Sequence, residues 1–184
     1  MVWPQWLARP SDEVVAKAGK VRLAIFDVDG ALTDGRLIYG DDGQEYKAFH
    51  SRDGLGMKML ASAGIELAII TGRTSQVVVK RAENLGIHHL QQGCDDKLAA
   101  CDALLAKTGY DYDQVAYLGD DFIDLSVMRR AGLSAAVADA HPLVIEISDW
   151  HTANAGGRGA ARELCELLLA AQGKLDDVLH EWLG

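Results

Sequence analysis

At 184 residues, 49% of them hydrophobic, the chain is long enough to bury one sizeable core, and no run approaches the ~18 to 20 uninterrupted apolar residues that a membrane-spanning helix needs. A net charge of −9 counts against a nucleic-acid partner, which would require basic patches, although an acidic protein still binds a phosphate ester wherever cations or a metal gather. Cys94, Cys101 and Cys165 are scattered and odd in number, against a zinc ribbon or a disulfide framework, and the opening MVWPQWLARPSDEVV has neither a basic leader nor an apolar secretion core, so a cytoplasmic protein is expected.

Ser11 is placed to cap a short helix across SDEVVAKAG, with Asp12 and Glu13 in its first turn and Gly19 at its end. The apolar run Val21 to Phe26 predicts a buried strand, and it runs into FDVDGALTDG. There Asp27 and Asp29 are two positions apart, about 6.6 Å on an extended backbone. At ~4 Å and an effective dielectric of ~20 two carboxylates repel by about 4 kcal/mol, so a cation or a shared proton has to offset them. Residues 36–50, RLIYGDDGQEYKAFH, offer two short strand-like halves around GDDG and predict a β-hairpin insertion.

Leu55 to Ala63 then reads as an amphipathic helix stopped by Gly64, and Ile65 to Ile70 as a second strand. That strand ends in TGR, which puts the Thr71 hydroxyl and nearby backbone amides at a helix start, a geometry suited to a phosphate oxygen. Ser75 to Leu85 is helical by pattern and closed by Gly86. His88 to Leu90 is a weaker strand, and Lys97 opens a helix to Lys107. Val115 to Leu118 is a further strand, running into LGDDFIDL with Asp120, Asp121 and Asp124. Phe122 to Ala131, closed by Gly132, reads as a helix, and Leu133 to Val137 as a strand. Residues 154–184 contain a flexible glycine pair, an amphipathic helix and a second short helical piece.

Strand and helix in alternation predict an α/β fold, a three-layer doubly wound parallel sheet in one domain spanning 1–184. Such sheets bind ligands beyond the carboxyl ends of their strands, where Asp27, Asp29, Thr71, Lys97 and the Asp120 cluster all fall. All-oxygen ligation in a phosphate-handling pocket favours Mg²⁺ over zinc. The hairpin is too small to serve as a cap, which leaves the site open unless another chain covers it. His88 and His89 face opposite sides of a strand, and no histidine pair has ligand spacing.

The four elements DVDGALTDG, TGR, Lys97 and GDDFID, in this order and each after a predicted strand, resemble the haloacid dehalogenase superfamily of phosphotransferases. The resemblance implies Asp27 as nucleophile, Asp29 as general acid and base, and Thr71 and Lys97 as partners of the transferring phosphoryl group. It also implies Mg²⁺ held by Asp27, Asp120 and the backbone carbonyl of Asp29, with Asp121 and Asp124 in support. YKAFHSRDGLGMKML, GIELAIITGR, the hairpin and GGRGAARELCELLLAAQGKLDD are similar to the phosphatases that act on 3-deoxy-D-manno-octulosonate 8-phosphate, a small phosphorylated sugar acid, in lipopolysaccharide precursor synthesis. That narrower resemblance covers nearly the whole chain after Val21. It implies no cap domain, a homotetramer with centrally packed hairpins, and a glycine-rich tail, Gly156 to Arg158, over the pocket.

Cations for the substrate carboxylate are then sought among Arg73, Lys47, Arg52 and Arg158, with Arg81 across a subunit boundary. Relatives acting on nine-carbon sialic-type sugar 9-phosphates are the competing expectation, and Arg73 favours the eight-carbon acid because some of those relatives carry an acidic residue there. A receiver-like phosphoacceptor domain is the non-enzyme alternative. Receivers carry the phosphoacceptor after the third strand, however, whereas here DxD ends the first and the acidic cluster the fourth.

Overall fold

The computed structural model describes residues 3–183 and the side chains of residues 3–180. Eight helices and eight strands occur among them in the order α1 Asp12–Ala18, β1 Leu23–Phe26, β2 Ile38–Tyr39, β3 Glu45–Tyr46, α2 Ser51–Ser62, β4 Glu66–Ile70, α3 Gln76–Leu85, β5 His89–Gln91, α4 Lys97–Thr108, β6 Val115–Gly119, α5 Leu125–Met128, β7 Leu133–Ala136, α6 Pro142–Ile147, β8 Trp150–His151, α7 Ala160–Ala171 and α8 Leu175–Leu183. None of these helices is long and apolar enough to cross a membrane.

Six strands form one parallel sheet in the order β5-β4-β1-β6-β7-β8, with β1 between β4 and β6 through Leu23↔Glu66 and Leu23↔Val115. Every residue of β1, β6 and β7 is buried, as a sheet covered on both faces requires. From β1 the chain steps outward through β4 to β5, then returns to β6 and proceeds to β8 on the other side. With right-handed crossovers, α2 and α3 therefore cover one face, and α4, α5 and α6 the other. Helix α7 packs on α2, and α1 on α7, completing the first layer. The reversal of strand order beside β1 opens a crevice at the carboxyl ends of β1, β4 and β6.

Several local readings of the sequence need correction. Phe122 to Ala131 is no continuous helix: a 3-10 turn at Phe122–Asp124 leads into the four-residue α5, because Asp121 and Asp124 cap that turn with their own carboxylates. Helix α2 starts at Ser51, four residues before its apolar pattern begins. Helix α6 and strand β8 had no legible apolar period. The glycine pair Gly156–Gly157 is not loose: Gly156 N–H donates to Asp139 Oδ1 at 2.8 Å and Gly157 N–H to the Ala31 carbonyl at 2.9 Å. A side chain at Gly156 would collide with the Gly30 carbonyl, so only glycine lets the tail lie on the loop after β1.

Helix α7 is anchored across the fold. Asp53 in α2, only 2% exposed, accepts from Arg162 N–H at 2.8 Å and Gly159 N–H at 3.3 Å, both at the start of α7 and 106 or more positions away in sequence. Those donors are ones a helix start leaves unpaired. Burial pushes the Asp53 carboxyl up, and the two backbone donors oppose the shift. Asp53→Ala is expected to cost about 1–2 kcal/mol in denaturant unfolding, the range for a lost N-terminal cap. An unchanged midpoint would remove this role.

Candidate active site

The loop after β1 is organised by Thr33, whose buried Oγ1 donates to the Val28 carbonyl at 3.2 Å and accepts from Gly30 and Gly35 N–H. Asp27 leaves β1 with its N–H on the Leu118 carbonyl, so the end of β6 holds it in register. Thr71 leaves β4 with its N–H on the Gln91 carbonyl and its own carbonyl accepting from Cys94 N–H, which ties the TGR loop to the segment leading to Lys97. Asp96 caps α4 by accepting from Ala99 N–H, and Lys97 opens that helix facing the sheet edge.

Lys97 is 2% exposed, and its Nζ lies 2.6 Å from Asp27 Oδ1 and 2.6 Å from Asp124 Oδ1. Burial alone would lower its pKa, but Asp27 and Asp124 outweigh that and hold it above the ordinary lysine value. Asp124 is fully buried and fully used. Its Oδ1 also accepts from Tyr117 Oη at 2.7 Å, and its Oδ2 from the N–H groups of Asp120 and Asp121 at 2.9 and 3.2 Å. A Cβ at Gly119 would stand 2.5 Å from that Oδ2, so the close approach requires glycine. Burial, then the Asp124 charge, pushes the Tyr117 phenol well above its usual value and keeps it a donor.

Asp27, Asp120 and Asp124 each bring a carboxylate oxygen within 4.8 Å of the others. The Asp120 carboxylate makes no hydrogen bond among the described residues. Burial first, then repulsion from Asp124, raises Asp27 to about 6 against the opposing pull of Lys97. Burial, then Asp27, Asp124 and Asp121, raises Asp120 to about 8. Three carboxylates against one ammonium leave negative charge uncompensated, and an oxygen-only donor set of this kind fits a hard divalent cation. Asp121 is exposed and caps the following turn through Phe122 N–H.

Asp29 does not join this group through its side chain. Its Oδ1 meets the Lys47 ammonium, whose side chain is 1% exposed, and its Oδ2 lies 3.8 Å from Arg73 Nε. The extended-strand spacing expected for DxD does not apply, because β1 ends at Phe26 and the two carboxylates turn to different cations. Glu45 and Tyr39 of the hairpin bind Arg73 Nη2 at 3.0 and 2.5 Å.

The other expected cations lie elsewhere in this chain. Arg81 sits 5.4 Å over the Phe49 ring and donates to the His50 carbonyl. Arg52 lines a cavity of about 570 Å³ with Trp6, Arg162 and Glu166, to which Asp27, Asp29 and Asp120 do not contribute. Arg158 pairs with Asp34 at 3.3 Å. Sequence reading missed Tyr117, hidden in an apolar run, and Glu45, which carries no motif in the hairpin.

A parallel sheet between helical layers, with a carboxylate-rich edge suited to phosphate, is the architecture of a phosphate-handling hydrolase, and residues 90–164 match the family model for haloacid dehalogenase-like hydrolase. The chain is 54% identical to the 3-deoxy-D-manno-octulosonate 8-phosphate phosphatase of Escherichia coli over 167 residues, 91% of this chain and 89% of that one. It belongs to that phosphatase family. Its fold matches the crystal structure of the Yersinia pestis 3-deoxy-D-manno-octulosonate 8-phosphate phosphatase with a TM-score of 0.92 at 47% identity, covering 95% of each chain. The Moraxella catarrhalis phosphatase of the same name, in complex with magnesium ion, phosphate ion and a KDO molecule, matches at 0.92 with 44% identity, covering 94% of this chain and 99% of that one.

The raised carboxyls give a sign for pH. Without a cation, Asp27 and Asp120 hold protons more tightly folded than unfolded, so their contribution to stability is full below 3.8 and is lost as pH rises through about 6 and about 8. A bound cation relieves that loss. The increase in Tm on adding Mg²⁺ is expected to be large at about pH 8 and to shrink toward about pH 5, as read by scanning calorimetry. An increment independent of pH would contradict the assignment.

Proposed function

We propose that the chain hydrolyses 3-deoxy-D-manno-octulosonate 8-phosphate to the free sugar acid and inorganic phosphate, as a Mg²⁺-dependent phosphatase working through an aspartyl-phosphate on Asp27. The observation that carries this reading is a buried Asp27 carboxylate paired with Lys97 at 2.6 Å beside the unpartnered Asp120 carboxylate.

Asp27 is the nucleophile. Its carboxylate attacks phosphorus, the bond from phosphorus to the sugar oxygen breaks, and Asp29, which takes up a proton as Lys47 and Arg73 turn from it to the substrate carboxylate, passes that proton to the departing alkoxide. Asp29 then takes a proton from the water that attacks the acyl phosphate, releasing phosphate and restoring Asp27. Lys97 and Thr71 stabilise charge on the phosphoryl oxygens during both transfers. Asp27, Asp120 and the Asp29 backbone carbonyl would hold Mg²⁺, with Asp121 and Asp124 supporting them. An ion held there would screen the approach of one anion to another.

Arg73 and Lys47 are the cations for the substrate carboxylate, since both already meet carboxylates at the Asp29 side of the site. Arg52 and Arg81 would reach a substrate only by lining the site of a neighbouring subunit, whereas Arg158 stands on Asp34 beside the loop after β1 and would reach either its own site or a neighbour's. A cytoplasmic homotetramer of single, uncapped domains accounts for the open crevice, and the exposed Leu37, Ile38, Tyr39 and Tyr46 of the hairpin support its burial between subunits.

Asp27→Asn is expected to retain the fold and lose at least about three orders of magnitude in kcat, because the near-isosteric amide cannot attack phosphorus. Residual turnover near the wild-type rate would require another nucleophile. Comparing kcat/KM for the eight-carbon ester with that for nine-carbon nonulosonate 9-phosphates tests the substrate, and a preference of about tenfold for the nine-carbon esters would overturn it.

A further inference from the structure

Glu45 has no part in phosphoryl transfer, yet it joins the charges around Asp29. Its Oε1 accepts from Arg73 Nη2 at 3.0 Å and lies 3.3 Å from Lys47 Nζ. Those same cations reach Asp29, Lys47 in direct contact with Oδ1 and Arg73 Nε at 3.8 Å from Oδ2. The result is a closed quartet in which each carboxylate touches both cations and the formal charges cancel.

The asymmetry within the quartet is informative. Arg73 is nearer to Glu45 than to Asp29, so the hairpin carboxylate draws the guanidinium outward and keeps it from closing on Asp29. Glu45 and the Tyr39 hydroxyl together use both hydrogens of Nη2, whereas Nη1 makes no hydrogen bond among the described residues. Clamping both hydrogens of Nη2 fixes the plane of the guanidinium and leaves the Nη1 hydrogens set in direction for a charge-assisted hydrogen bond to an incoming carboxylate. Ordering the arginine before substrate arrives also removes that cost from binding.

We propose that Glu45 is a positioning residue for recognition of the substrate carboxylate, holding Arg73 in place without itself touching substrate. This rests on the reading that Arg73 meets the carboxylate of a phosphorylated sugar acid.

The test is the ratio of kcat/KM for 3-deoxy-D-manno-octulosonate 8-phosphate to that for p-nitrophenyl phosphate, an ester with no carboxylate. Both substrates are read on one preparation, so any misfolded fraction cancels. Glu45→Gln lowers the ratio by about tenfold or more, the scale of one hydrogen bond to a charged group. In an Arg73→Ala background the same change alters the ratio by less than about twofold, since the residue through which Glu45 acts is gone. Equal losses on both esters, or a full loss persisting without Arg73, overturn the proposal. A wild-type protein with no preference for the sugar acid overturns the substrate reading itself, whereas a preference that survives Glu45→Gln overturns only the role of Glu45.

Discussion

The contact on which the site depends is the buried ammonium of Lys97, shared at equal distance between Asp27 and Asp124. Taking a lysine out of water costs several kcal/mol unless anions surround it, and two do so here. The same contact joins three separated parts of the chain, the end of β1, the start of α4 and the turn after β6. It holds Asp27 ionised against burial and against its acidic neighbours, the state an attacking carboxylate needs.

Asp124 extends that constraint to the backbone. By accepting from Tyr117, Lys97 and two successive N–H groups, it turns a buried carboxylate into the organiser of the Asp120 loop. The Asp120 side chain is left without a hydrogen-bond partner among the described residues. The strain of crowded carboxylates is electrostatic, and a divalent ion answers it more fully than a single lysine does. Fold and chemistry are coupled here: the sheet order that brings β1 between β4 and β6 also concentrates the negative charge.

Around Asp29 the hairpin supplies a second, neutral assembly. Short as it is, with two residues in each strand, the insertion reaches back to the site through Tyr39, Glu45 and Lys47 while leaving Leu37, Ile38 and Tyr46 exposed. One face of the hairpin therefore tunes the pocket of its own chain, and the other remains apolar. The glycine-rich tail closes on the same side, with Gly156 and Gly157 against the loop after β1 and Arg158 on Asp34.

Alternating apolar runs determined the parallel α/β sheet, and the residues following those runs determined where Asp27, Lys97 and Asp120 would gather, because strand period and end position are local properties that survive without neighbours. Ser11 as a helix cap and Gly86 as a left-handed stop were legible for the same reason. Tertiary structure alone decided that Asp29 faces Lys47 and not Asp27, that Asp53 caps a helix more than a hundred residues away, that Tyr117 is a buried donor, and that Arg52 and Arg81 lie apart from the carboxylates within their own chain. Each of these depends on which distant group meets a side chain once the layers pack, and no periodicity along the chain encodes that pairing.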